Sequence, residues 1–212
     1  LTVFENDISA LYADNKGIPT IGIGVNLQVA DNLALVINQM TINGSTNVLA
    51  AAASRGIQAN TVVAALQSII KQYKLSPVLG PSDQGTNAQE DALQAALNAQ
   101  LALYCGVDVS QLTISFSNFP PQQAQVVLGQ LLSGKVLAGY GQVKGYSQQL
   151  SDWLAGHNKF GYVVAADDIP AQNTGQWEAL LSQFYNQSSS NPLIGKGLMT
   201  ALNQGNVAEA WY

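Results

Sequence analysis

Apolar and polar positions divide the chain into a short extended region near its start and a long helical remainder. In "PTIGIGVNL", Thr20, Gly22 and Gly24 alternate with Ile21, Ile23 and Val25. That period of two predicts a small β-hairpin region, in which glycine marks close backbone approach or a sharp bend. Beyond it the period lengthens to that of a helix. "DNLALVINQM" follows a cap expected at Asp31, and "TNVLAAAASRG" runs from Thr46 to a terminating glycine, Gly56. "NTVVAALQSIIKQY" sets Val62, Leu66, Ile69, Ile70 and Tyr73 on one face. "NAQEDALQAALNAQLALYCG" opens with Asn87 and Glu90 in a capping-box pattern and continues through Leu93, Leu97, Leu101 and Tyr104. "PPQQAQVVLGQLLSG", "YSQQLSDWLAG", "GQWEALLSQFYNQ" and "GKGLMTALNQGN" follow, and Asn206 caps a short "VAEAWY".

These elements predict a mainly α-helical α+β protein with at least seven helices and one hairpin region. Loops rich in Gly, Pro, Asn and Ser fall near 76–88, 156–175 and 187–194. The first is a candidate boundary between a hairpin-bearing lobe, 1–80, and a helical lobe, 81–212, of one domain spanning 1–212. A chain of 212 residues is long enough to bury a sizeable core without crosslinks.

Composition narrows the function classes. Charged residues make up 10% of the chain, against about 25% in ordinary soluble domains. The net charge is −5 and no basic run occurs, so nucleic-acid binding through counterion release is not expected. Cys105 is the only cysteine, which excludes an internal disulfide and suggests a buried, inert thiol at a helix end. No apolar stretch reaches the roughly 20 residues of a membrane span, and no secretory signal stands at the start.

The segment "FENDISALYADNKGIPTIGIGVNL" carries the candidate chemistry. Glu5 precedes Asp14 by nine residues, and Asp14 precedes Thr20 by six. If the residues before Ile8 are helical, the chain turns back through "ADNKGIP" and can bring Asp14 and Thr20 opposite Glu5. Breaking a glycosidic bond requires an acid for the leaving oxygen and a second group on the other face of the sugar. A glutamate beside apolar neighbours such as Phe4 and Tyr12 is suited to keep its proton near neutral pH, and a threonine hydroxyl is suited to hold a water. On spacing alone, solvated turn residues are the favoured reading, since two acids and a threonine within 16 residues are common.

The wording of the segment is more specific. "FE", "LYAD" and "GIPTIGIG" together resemble the phage-type lysozymes, the muramidases typified by the T-even phage enzyme. The resemblance implies Glu5 as general acid, Asp14 as second carboxylate and Thr20 as the threonine that positions the attacking water. Asn26 and Leu27 then fall beside the sugar. "FYNQSSSNPLIGKGLMTALNQGNVAEAWY" is similar to the family's C-terminal pattern, so the two matched regions bracket most of the chain, while 28–120 aligns with nothing. Val25 stands where the family usually has histidine. The resemblance implies a lysozyme-like fold and hydrolysis of the β-1,4 bond between N-acetylmuramic acid and N-acetylglucosamine, with no metal or organic cofactor. A lytic transglycosylase and an inactive wall-binding module are the alternatives.

The expected partner is peptidoglycan, met as a monomer in the periplasm or the extracellular wall. Only four residues precede Glu5, just over one helical turn. That short lead and the acidic balance suggest a domain cut from a longer chain and delivered by secretion, a phage particle or lysis, with an immunity or delivery protein as a further partner. Other residues carry weaker signals. His157 reads as a loop residue and Asp167–Asp168 as a solvated turn. "GKG" at 195–197 lacks the spacing of a phosphate loop. Trp153, Trp177 and Trp211 read as core. Tyr140 and Tyr146, set near glycines, are candidates for an exposed sugar contact.

Overall fold

A computed structural model of the chain describes residues 8–22, 24–77, 88–157 and 175–187. The fold class is α+β, with seven α-helices and three small sheets among the described residues. The chain divides into two compact units. The first comprises Leu1–Leu131 and Val136–Val143, and the second Leu132–Lys135 and Lys144–Tyr212.

The first unit begins with a three-stranded antiparallel sheet of order β1-β2-β3, formed by Ile8–Ala13, Pro19–Gly22 and Val25–Asn26. Leu11, Ile21 and Val25 lie in one row across the three strands, and each is at most 1% exposed. Tyr12, Thr20 and Asn26 form the adjacent row. Because side chains alternate faces along a strand, one face of the sheet is apolar and the other polar. Gly22, at φ +58°, is where this sheet meets the helical layer. A Cβ there would lie 2.6 Å from that of Ala124.

Helix α1 (Ala30–Ile37) is buried over six of its eight residues, Asn32 to Ile37. A helix apolar on all sides belongs at the centre of a core, and this one is packed there against α3 and the end of β3. Its N-cap is Val29, which makes no side-chain cap, and Asp31 sits inside the first turn instead of before it. The carboxylate is taken by another partner: Tyr140 donates its hydroxyl to Asp31 Oδ1 at 2.7 Å. The expected cap at Asp31 is therefore corrected.

Strands β4 (Thr41–Ile42) and β5 (Thr46–Asn47) follow, and α2 (Val48–Ser54) is capped by Asn47, whose side chain accepts from Ala50 N. Helix α3 (Ala59–Ile70) buries Val62, Leu66 and Ile70 as its spacing predicts and Val63 besides, whereas Ile69 is half-buried and Tyr73 lies just beyond its end. Helix α4 (Ala88–Cys105) buries Leu93, Leu97 and Leu101. Strand β6 (Leu112–Ile114), which follows a 3-10 turn at Val109–Gln111, completes a second sheet of order β5-β4-β6. Helix α5 (Pro121–Ser133) contributes Ala124, Val127 and Leu131, and β7 (Lys135–Leu137) with β8 (Gly141–Val143) makes a two-stranded sheet. Extended structure is thus more widespread than the single hairpin region the alternation predicts, because these strands are only two or three residues long.

The second unit has its own apolar centre. Helix α6 (Tyr146–Asp152) continues into a π-type turn, Trp153–His157, and α7 (Gly175–Gln187) packs on α6. Leu150, Trp153, Leu154, Trp177, Leu180 and Phe184 are buried. Phe184 meets Tyr146 and Trp153 edge-on, at centroid distances of 6.4 and 6.3 Å. Gly145, before α6, lies so close to the preceding chain that a Cβ would stand 2.3 Å from Gly134 N and 2.4 Å from Ser133 C.

Candidate functional site

Asp14 closes strand β1. Its backbone N–H donates to Ile18 O at 3.0 Å, and Gly17 N–H donates to Asp14 O at 3.0 Å, so residues 14–18 form a closed turn. The side chain reinforces it. Asp14 Oδ1 accepts from both Lys16 N and Ile18 N at 2.8 Å. Gly17 allows this turn at φ +75°, and its missing side chain lets Leu75 O approach to within 2.5 Å of where a Cβ would sit. Among the described residues the second carboxylate oxygen, Oδ2, has no hydrogen-bond partner.

Thr20 stands in β2 between Tyr12 and Asn26. Its hydroxyl donates to Ile18 O at 2.9 Å, the carbonyl that also closes the Asp14 turn. The strand thus ties the threonine and the aspartate to one backbone group. Thr20 is 3% exposed. Tyr12 donates its hydroxyl to Gly22 O at 3.5 Å, so its ring runs along the polar face beside the threonine.

Asn26 ends β3 half-buried. Its Oδ1 accepts from Gln28 N at 2.8 Å, and its carbonyl accepts from Asn32 Nδ2 at 3.0 Å. Leu27, the next expected sugar contact, is fully buried and offers no surface to a ligand. Its place in the sequence puts it at the entrance of α1, where packing decides its role. Val25, expected from the resemblance to stand in place of a histidine, is 1% exposed and lies in the apolar row with Leu11 and Ile21. That position is a core position in this chain.

The sheet therefore brings Asp14, Thr20 and Asn26 together within one unit. Glu5 lies outside the described residues, as do Asp167, Asp168, Trp211 and the C-terminal motif beyond Gln187, while its opening Phe184–Gln187 ends α7. Tyr146 belongs to the second unit, where it is half-buried against Phe184. Tyr140 belongs to the first. It is also half-buried, and burial together with the Asp31 carboxylate beside it pushes its phenol well above the usual range. Neither tyrosine is the open platform its glycine neighbours predict. Cys105 is buried, its thiol donates to Val48 O at 3.4 Å, and burial pushes it up.

Helix α4 supplies a group the sequence does not reveal. Glu90 Oε1 accepts from Ala13 N at 2.7 Å, one residue before Asp14. One turn on, Gln94 Nε2 donates to Leu11 O at 2.8 Å, and one turn further Asn98 Oδ1 accepts from Phe116 N at 3.1 Å. Leu11 N itself donates to Phe116 O at 2.8 Å. The outer edge of β1 is thus closed by a polar stripe at i, i+4 and i+8 of one helix, which protects an otherwise open strand. Burial, the largest effect, raises the Glu90 carboxyl, and Asp91 adds to it. The hydrogen bond from Ala13 opposes them. The sequence shows Glu90 only as the acid of a capping box whose partner, Asn87, is outside the described residues. The i, i+4, i+8 run of hydrogen-bonding side chains is the signal that points to a strand edge.

Among the described residues no helix is long and apolar enough to cross a membrane. Set against protein-family models, curated proteins and solved structures, the chain gives no match.

Proposed function

We propose that this chain is a lysozyme-like muramidase that hydrolyses the β-1,4 bond between N-acetylmuramic acid and N-acetylglucosamine in peptidoglycan. What supports the reading in the fold is that the Asp14 backbone N–H and the Thr20 hydroxyl both donate to Ile18 O, so the two residues the motif implicates belong to one turn. The motif "FE…LYAD…GIPTIGIG" supplies the remaining support.

The chemistry follows from the hydrogen-bond inventory. Thr20 donates its one hydroxyl proton to Ile18 O, which leaves its oxygen as an acceptor. Asp14 has Oδ1 engaged by two backbone N–H groups and Oδ2 open. A water that donates to Thr20 Oγ1 and to Asp14 Oδ2 turns a lone pair outward. On this reading it attacks the anomeric carbon while Glu5 protonates the leaving oxygen from the opposite face, and Asp14 takes the water's proton. A water of this kind implies inversion, with the acids about 6.5–9.5 Å apart.

Digestion of purified peptidoglycan with mass analysis of the products tests the reading. Reducing muramic acid ends are expected. Anhydro ends would make the protein a lytic transglycosylase, and wall binding without release of fragments would make it a binding module. Proton NMR on freshly cut oligomers, recorded before mutarotation, should show the α anomer first. A β product appearing first would make Asp14 a nucleophile and remove the water-holding role of Thr20. The substrate places the site of action in the periplasm or the extracellular wall. Expression confined to the cytoplasm should therefore be harmless, and export to the periplasm should lyse the cell.

A further inference from the structure

A cavity of about 490 Å³ opens on the first unit at the end of α3, lined by Gln28, Gln67, Ile70, Lys71, Tyr73 and Lys74. Its walls are polar and its floor is aliphatic, since Ile70 is only 2% exposed. Lys71 and Lys74 are exposed, and among the described residues neither ammonium has a carboxylate or hydrogen-bond partner. The ion pair the structure does describe, Lys144 with Asp152, is in the second unit. The turn that carries Lys16 touches the same segment, because Gly17 abuts Leu75 O. In a chain with 8 basic and 13 acidic residues, two lysines lining one cavity stand out from the overall charge.

The amides around them are only partly used. Gln67 donates from Nε2 to Gln28 O at 3.0 Å, which leaves its Oε1 and a second N–H available, and the Gln28 carboxamide is free among the described residues. A carboxamide pair offers both donors and acceptors, as a peptide backbone requires, and ammonium groups on flexible stems suit carboxylates. A neutral sugar would make no use of the lysines. The cavity is also joined to the candidate site: Asn26 Oδ1 accepts from Gln28 N, so the residue expected beside the sugar fixes the cavity wall.

We infer that this cavity is a subsite for a short acidic peptide, the carboxylate-bearing stem that hangs from the muramic acid of a peptidoglycan strand. Lys71 and Lys74 take its carboxylates, and Gln28 and Gln67 its amides. The inference rests on the muramidase reading for its substrate, but binding of the peptide can be measured without catalysis.

The full chain is titrated with the tripeptide L-alanyl-γ-D-glutamyl-diaminopimelic acid while the side-chain amide signals of Gln28 and Gln67 are followed by NMR. These signals should shift and saturate, and Lys71→Gln/Lys74→Gln should abolish the response. Absence of saturable shifts overturns the inference. So does an equal response to glycerol phosphate, which would mark the cavity as a site for any anion, including a phosphate-bearing wall polymer. In parallel, kcat/KM is compared on intact peptidoglycan and on glycan strands stripped of peptide by an amidase. The double variant should lower the ratio of intact to stripped by roughly 3- to 10-fold, the reach of two solvent-screened ion pairs. An unchanged ratio overturns the inference with the hydrolase standing. If neither polymer is cut, the muramidase reading fails and the peptide titration alone decides the subsite.

Discussion

Thr20 and Asp14 show how a side chain's existing bonds limit what it can still do. Asp14→Asn keeps an oxygen for Lys16 N and Ile18 N, so the turn should hold and the melting temperature should stay close to that of the parent. Asp14→Ala strips both N–H groups of their acceptor and should cost about 1–2 kcal/mol, partly offset by water at this half-exposed turn. Both variants should lose hydrolysis. Full activity in Asp14→Asn, read from the release of reducing ends, would remove the carboxylate from the mechanism. Glu5→Gln preserves size and removes the acid, and hydrolysis should fall by at least about 100-fold. Activity within tenfold of the parent would refute Glu5 as the proton donor. At this scale the shared turn of Asp14 and Thr20 was legible in the motif, because their spacing is a local property. Leu27 is misread for the complementary reason. Its burial is set by α1, which the motif does not contain.

Between β1 and α4, side-chain chemistry takes the place of a neighbouring strand. Glu90 has its carboxyl raised above the usual range, first by burial, so the folded state holds that proton more tightly than the unfolded chain does. Stability from this group is therefore complete below the ordinary carboxylate range and declines as pH rises through the raised value. Glu90→Gln keeps an acceptor for Ala13 N and abolishes the titration. The melting-temperature difference, variant minus parent, should move in the variant's favour between about pH 4 and pH 8. A flat difference would show that the carboxyl is not shifted. Two glycines extend the argument to helix ends and interiors. Gly145→Ala forces a methyl into the backbone of 132–134 and should cost about 1–3 kcal/mol or more, although its φ of −67° suits any residue. Gly129→Ala, exposed within α5 with open space around the new methyl, should stabilise by about 0.5–1 kcal/mol. Thermal melts that rank the two variants the other way would contradict the packing described for them. Helices were legible as elements because 7 to 18 residues repeat the apolar period several times. Strands such as Thr41–Ile42 and Thr46–Asn47 are too short to show any period, and long-range pairing with Leu112–Ile114 alone defines them.

The net charge of −5 describes the whole chain and conceals its distribution. Lys71 and Lys74 share one cavity at the end of α3, while the carboxylates of Asp14 and Glu90 stand at the end of β1, so both signs of charge are concentrated locally within the first unit. Sequence order cannot show that the 14–18 turn and the end of α3 are neighbours, since Gly17 and Leu75, which abut, are 58 residues apart. The division into two units has an optical counterpart. All three tryptophans, 153, 177 and 211, fall within the residues of the second unit, and none falls within the first. Indole emission is therefore a private signal of one half of the chain. Trp153 and Trp177 are 6% and 3% exposed, so their emission should lie to the blue and move red only when that half opens. Gly145→Ala should lower the midpoint followed by fluorescence more than Asp14→Ala does, while far-UV circular dichroism, which sees every helix, registers both. The opposite ordering would show that the tryptophans report on the other unit. A protein built this way carries its own probe for telling which half a ligand protects. Amide exchange of the first unit and emission from Trp153 and Trp177 then report separately on the two halves when a wall fragment is added.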